Sequence, residues 1–318
     1  MTATTPAEET GSASELTGSQ PPTWLPMAAV GVTLLLWASA FVAIRHLAGT
    51  FSPGSLSLGR LVVGSICLGA VALGRAMPRP TRGQWVSIVT IGVLWFGVYN
   101  VALNAGEEHV DAGTAVMLIQ VSPVLVALLA ALFLNERFTL YLGLGLALAF
   151  SGIALIATAS GGSNGDRSVL GVVLCLVAAV VYSVSLVLQK PLMARLPAIH
   201  VTWLACTVGA IVCLPFVGQL VDDTRSASGT DIWWVVYLGV FPTAIAFTTF
   251  AYALRTMTAS SLGVTTYLVP PITIVMGWLF LSETPPGMAY VGGGLALVGV
   301  AVARRKPRTM ATDPAPPC

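Results

Sequence analysis

Arg60 is the residue around which the chemistry of this sequence has to be arranged. It is the one charged side chain well inside an apolar run, seven residues beyond Pro53, or about 10 Å along a helix at 1.5 Å per residue. A guanidinium is costly among hydrocarbon and must face water or a polar partner. Two uses fit: it is a counter-charge for an anionic group such as a carboxylate, or it is tied to backbone carbonyls near a helix end. Other polar and aromatic side chains sit where a lipid-facing position would be aliphatic. Trp37, Asn100, Gln120, Tyr182, Thr248 and Tyr267 are, with Arg60, the expected lining of a substrate site. Gln120 and Ser122 flank the approach to Pro123, and Thr265, Thr266 and Tyr267 precede Pro270 and Pro271. Proline frees backbone carbonyls within an apolar helix, so these prolines are expected helix breaks, either lining a cavity or acting as packing kinks.

Other chemistries have no residues to carry them. The sequence has no HExxH, GxSxG or Walker loop and no paired aspartates within its apolar runs, so an intramembrane enzyme has no constellation to rest on. Four cysteines, Cys67, Cys175, Cys206 and Cys213, lie in apolar runs, the fifth is Cys318, and none has CxxC spacing. No metal, disulfide framework or cofactor is expected. No basic run is interleaved with aromatics, so nucleic acid is not an expected partner. Glu136 and Glu283 fall at the ends of apolar runs, where they cap helices, pair with Arg137 and similar neighbours, or gate. No carboxylate lies mid-run, so any proton coupling would fall to Glu107, His109 or one of these terminal glutamates.

The elements that must position these residues follow from composition. Charged residues are 9% of the chain and hydrophobic residues 56%, against about 25% charged in soluble domains. Ala112 to Leu134 and Val169 to Leu188 carry no charge, and a helix needs roughly 20 apolar residues to span a bilayer. Ten spans are expected: 26–45, 53–74, 84–104, 112–134, 138–159, 168–189, 198–219, 232–254, 259–281 and 286–303. The breaks between them carry turn chemistry, as at Pro78-Arg79-Pro80 and Thr284-Pro285-Pro286. Residues 1–25 and 305–318 read as polar cytoplasmic tails and 160–167 as a linker. With the N-terminus inside, eleven Lys and Arg fall on the cytoplasmic side and three outside. That bias places both termini in the cytoplasm and the protein in the cell membrane.

The chain also repeats itself. At an offset of 147 residues Pro123 meets Pro270, Leu132-Phe133-Leu134 meets Leu279-Phe280-Leu281, Glu136 meets Glu283, and Gly145 and Gly152 meet Gly292 and Gly299. Earlier in each half, Trp37 to Arg45 meets Tyr182 to Lys190 at 145. The fold class is therefore an all-α integral membrane protein, with ten transmembrane helices arranged as two inverted five-helix repeats, 26–159 and 168–304. Five is odd, so the second copy enters the membrane upside down, as in many secondary transporters.

Both halves resemble the EamA repeat of the drug/metabolite transporter superfamily. The first shows Trp37-Ala38-Ser39-Ala40-Phe41, Pro53, Arg60, Ala112, Pro123, Leu134-Asn135-Glu136 and Gly145 to Gly152. The second shows Tyr182-Ser183, Ala253-Leu254-Arg255, Ala259, Pro270, Leu281-Ser282-Glu283 and Gly292 to Gly299, without a counterpart of Arg60. The resemblance implies a ten-helix, exporter-like carrier of a metabolite, an amino acid-like compound or an amphipathic drug-like one, working by alternating access. The expected partners are that small molecule and the lipid bilayer. The competing functions are a non-transporting scaffold or sensor and, behind it, an intramembrane enzyme.

Overall fold

The computed structural model describes residues 24–76, 78–133, 140–160, 165–193, 195–256 and 265–303. Apart from an isolated bridge between Ala48 and Phe51, these residues are helical or in turns. We number the helical segments α1 (Trp24–Leu47), α2 (Pro53–Ala72), α3 (Arg82–Glu107), α4 (Ala112–Ile119 and Ser122–Phe133), α5 (Leu140–Ser160) and α6 (Gly165–Met193). They continue as α7 (Ala198–Val212, bent 50° onto Leu214–Ser226), α8 (Gly229–Leu238, Gly239–Ile245 and Ala246–Thr256), α9 (Thr266–Leu281) and α10 (Gly287–Ala303).

Among the described residues, five helices are long and apolar enough to cross a membrane, and the bent α7 makes a sixth. The apolar parts of α4, α5, α9 and α10 are shorter. Large apolar side chains point outward from many of these helices, among them Leu35 at 55% exposed, Ile66 at 67% and Trp278 at 60%. In water such a surface would aggregate, but in a bilayer it faces its natural solvent. The protein is a multi-pass membrane protein.

Local chemistry sets the helix ends. Thr81 and Gln84 form a capping box that starts α3 at Arg82, and Ser228 and Asp231 form another that starts α8 at Gly229. Both helices therefore begin two to three residues before the starts of 84 and 232 that apolar content predicts. At the far end, α3 runs to Glu107 rather than 104 and carries that glutamate into the protein. In α7, Leu214-Pro215-Phe216 form a 3-10 turn where Pro215 cannot continue the α-helical ladder.

The main helix contacts are matched when the two halves are exchanged. α1 packs on α8 as α6 packs on α3, α2 on α8 as α7 on α3, and α1 on α9 as α6 on α4, while α2 meets α7 and α5 meets α10. Glycines allow the closest of these approaches. A Cβ on Gly152 would strike the Gly292 carbonyl, and one on Gly299 would lie 2.6 Å from the Gly145 carbonyl. The four glycines of the repeat thus clasp α5 to α10 backbone against backbone. Residues 1–23 and 304–318 of the expected tails and their flanks, the 161–164 part of the linker, Glu136 and Ala259 lie outside the described residues, while Trp24 and Leu25 already belong to α1.

Candidate functional site

The proline breaks come first, because they aim polar groups into the middle of the bundle. A proline at position i leaves the carbonyl of i−4 without its helical donor. For Pro123 that carbonyl belongs to Ile119, and the Ser122 hydroxyl donates to it. For Pro270 it belongs to Thr266, and the Gln120 amide donates to it at 3.0 Å. The helix is interrupted at Gln120–Val121 before Pro123, and a 3-10 turn over Thr266–Leu268 precedes Pro270. A side chain of one half thus satisfies the carbonyl freed by the proline of the other. Ser183 of α6 also donates to the Ser122 carbonyl at 3.2 Å, fixing the first break against the second half.

A second pair of irregularities flanks these breaks. Gly92–Val98 in α3 and Gly239–Ile245 in α8 are π-helical, so carbonyls are met from five residues on: the Tyr99 N–H donates to Leu94, and the Ala246 N–H to Phe241. The two stretches stand 147 residues apart, the offset of the sequence repeat. Each is pressed against the other half through its leading glycine. A Cβ on Gly92 would lie 2.6 Å from Val208, and one on Gly239 would lie 2.5 Å from Val63. Side chains occupy the carbonyls that the wide turn loosens: the Asn100 amide donates to Trp95 at 3.3 Å and Phe96 at 2.9 Å, and the Thr243 hydroxyl donates to Leu238 at 2.9 Å. π turns of this kind recur at functional sites.

Breaks and π turns surround one cavity of about 440 Å³, within the roughly 300–1,000 Å³ usual for small-molecule sites. Its wall is mainly apolar, carries a cluster of aromatic rings, and comes from both halves. Trp37 packs on Phe250 at 5.1 Å between ring centres, Trp95 on Phe247 at 5.3 Å and on Tyr182 at 5.1 Å, and Tyr99 on Tyr182 at 5.9 Å. Into this wall projects Arg60, 8% exposed. Among the described residues its guanidinium makes one hydrogen bond, from Nη2 to Thr243 Oγ1 at 3.3 Å, and Nε has no acceptor. A guanidinium has five N–H donors. The backbone-tied alternative would need carbonyls around it, and among the described residues none is hydrogen-bonded to it.

Trp37, Arg60, Asn100, Gln120, Tyr182 and Pro123 all line the cavity. Thr248, Tyr267, Pro270 and Pro271 do not, although Thr266 and Val269 on either side of the second break do. Thr248 donates to the Ala244 carbonyl of its own helix at 2.7 Å. The polar and proline pattern of the sequence does not single out Phe247 and Phe250, which also line the cavity. The repeat offset held the signal for one of them, since 147 residues beyond Asn100 stands Phe247.

The ends of the cavity differ. Gly171, near the start of α6, packs against His109 and Val110, so Met193, 22 residues on, lies about 33 Å away at the opposite end of the bundle. The lining extends to Gln189 and Met193 in that direction and stops at Ile44 and Leu103 in the other. Beyond Ile44, Arg45 holds three elements together. Its Nε donates to both carboxylate oxygens of Glu283 at 3.0 and 3.1 Å, and its Nη1 to the Glu107 carbonyl at 2.7 Å. The partner of Glu283 is thus a cation of the other half rather than a sequence neighbour.

Known proteins agree with this architecture. The profile of the EamA-like transporter family matches residues 24–158 and again 169–305. A protein of Streptantibioticus cattleyicolor named a probable terminal-alkyne amino-acid exporter is 38% identical over 278 residues, covering 87% of this chain and 93% of its own. An uncharacterized transporter of Bacillus subtilis, YdfC, is 31% identical over 265 residues, 83% of this chain and 86% of its own. A crystal structure sharing 23% identity superposes with a TM-score of 0.59 over 88% of this chain and 96% of that one, a likeness of fold. The chain belongs to the EamA-like transporter family and is a membrane transporter.

Proposed function

We propose that this chain is an exporter of a small amino acid-like or amphipathic compound bearing a carboxylate, carried by alternating access of the central cavity. The observation that carries the reading is Arg60: a cation with spare donors on the wall of an aromatic cavity built from both halves. A carboxylate suits the guanidinium fork, and the rings of Trp37, Trp95 and Tyr182 suit an apolar body or an ammonium group. The amino-acid exporter named above supports an amino acid-like cargo. The exchange symmetry of the packing supports two inverted units that rock about the cavity, open toward one side at a time.

In this reading the chain crosses the cytoplasmic membrane ten times with both termini inside. The cavity as it stands extends toward the cytoplasm through Met193, and the Arg45 end faces outward. Purified protein in liposomes should move a radiolabelled apolar amino acid down its gradient and should stop when a competing carboxylate is added. Protein-free background rates across a panel of such compounds would sink the transport reading. For orientation, single cysteines replace Arg79 and Gly162 in a cysteine-free background. An impermeant thiol reagent added to whole cells should label position 162 and spare position 79, and the reverse pattern would invert the topology.

A further inference from the structure

Glu107 does not line the cavity, yet its carboxyl group is fully buried. It ends α3 at the Arg45 end, is 0% exposed, and among the described residues neither of its carboxyl oxygens has a hydrogen-bond donor. The groups within electrostatic reach are Arg45 on α1, Arg60 on α2, Tyr99 on α3, Asp111 before α4, Cys175 on α6 and Glu283 after α9. Glu108 and His109 share its turn. Asp111 is engaged as the cap of α4, accepting from the Thr114 N–H and hydroxyl. Arg45 is engaged with the Glu283 carboxylate, although its Nη1 already touches Glu107 through the backbone carbonyl.

One cation therefore lies within electrostatic reach of two carboxyl groups and bonds only one of them. The two are not equivalent. The Glu283 side chain is 34% exposed and can be hydrated if Arg45 leaves it. Glu107 is sealed, and a sealed carboxylate without a donor is far costlier than the neutral acid. In the arrangement seen here, a proton on Glu107 removes that cost.

We propose that Glu107 is the proton-binding site of this carrier, and that it competes with Glu283 for Arg45 so that losing the proton opens the Arg45 end. When the end is sealed, Glu107 is the acid and Arg45 pairs with Glu283, joining α1 to the end of α9. In the coupled step the O–H bond of Glu107 breaks and the proton passes to water on the Arg45 side. The carboxylate left behind draws Arg45 across, Glu283 passes to solvent, and the bond between α1 and α9 is lost. One proton is released for each opening, and closing takes one up. The sign follows: high pH on that side favours the open end and low pH the sealed one. This makes the opening of the Arg45 end of the proposed exporter respond to pH on that side, and so rests on that reading.

The test reads conformation rather than transport, so the two can fail separately. Spin labels at Thr50→Cys and Met288→Cys, in a cysteine-free background reconstituted in nanodiscs, report the distance across the Arg45 end by pulsed electron resonance. The ratio of the long-distance to the short-distance population should rise by about tenfold per pH unit through the transition, as a one-proton link requires. Glu107→Gln should hold the short distance at every pH, and Glu107→Asp should restore the pH response. Glu283→Gln, which removes the competitor, should move the transition to lower pH. Infrared pH-difference spectra of the same samples should show a protonated-carboxyl C=O stretch in the sealed state that Glu107→Gln removes. A pH response that survives in Glu107→Gln overturns the proposal while leaving the carrier intact. Should Glu107→Gln fail to reconstitute, a parent spectrum without that carboxyl band in the sealed state overturns it equally. A normal response in protein that moves no cargo would instead count against the exporter reading and keep the proton site.

Discussion

The two halves share a skeleton and differ in chemistry. α3 and α8 each turn through a π stretch at the same place in the repeat, and each presses its leading glycine against the second helix of the other half. At the cavity the matched positions diverge. The first half supplies Arg60, Asn100 and Gln120, while 145 residues beyond Arg60 stands Ala205, 147 beyond Asn100 stands Phe247 and 147 beyond Gln120 stands Tyr267. Of the candidate ligands for a polar head, the cation belongs to one half alone, whereas the second half contributes rings at Tyr182, Phe247 and Phe250. The comparison teaches that duplicated backbone irregularities frame the cavity and that one-sided substitution gives its two walls different chemistry. A rocking mechanism needs the first kind of likeness and places no demand on the second.

The largest effect expected from breaking this division is at Arg60. Losing a hydrogen bond to a charged group costs about 1.5–3 kcal/mol, so Arg60→Gln should weaken carboxylate binding roughly ten- to hundredfold. Equilibrium binding to detergent-purified protein checks it, and unchanged affinity would return Arg60 to a structural role. Next come the matched glycines. Gly92→Ala and Gly239→Ala each force a Cβ into the facing helix, an overpacking worth about 1–3 kcal/mol. Both should lower the thermal unfolding midpoint by similar amounts, and a large inequality would show that the halves are not mechanically alike. Phe247→Ala should be milder, about 0.5–1.5 kcal/mol from lost ring contacts plus the space it opens. A fall of several-fold in affinity for a cargo with an apolar side chain, exceeding the fall for glycine, would place the rings around the cargo's body. Smallest is Gly31→Ala, where a Cβ meets nothing within 4 Å. Its midpoint and flux should match the parent, fixing the baseline for the other three.

The apolar helices were legible because length and hydropathy are local properties, and the repeat because it is written in identities. Pro123 and Pro270 could be read as breaks, since a missing N–H acts on its own helix whatever surrounds it. What escaped was non-local or phase-dependent. The π stretches leave no mark in composition, because Gly92 and Gly239 look like any small residue in a membrane helix. Arg45 counted only as a charge at the end of a span, since nothing adjacent to it in the chain announces Glu283. Glu107 read as a residue between spans, and only the continuation of α3 to its end shows that it is shut inside.

The π stretches also set how these helices transmit a rotation. A residue added to a helix turns everything beyond it by about 100°, so α3 and α8 each behave as a shaft with a phase offset cut into its middle. Asn104 reaches Ser57 Oγ at 2.9 Å, and Arg45 meets the carbonyl of Glu107, on the far side of that offset from Trp95. A single helical wheel drawn straight through α3 therefore assigns its last two turns to the wrong face. Deleting any one residue of Gly92–Val98 would leave the Arg82 end of the shaft in place and swing Asn104 and Glu107, together with the cavity residues Asn100 and Leu103, a quarter turn or more away from their partners. Which way the cavity residues and Glu107 face is thus set by a count of residues as well as by their side chains.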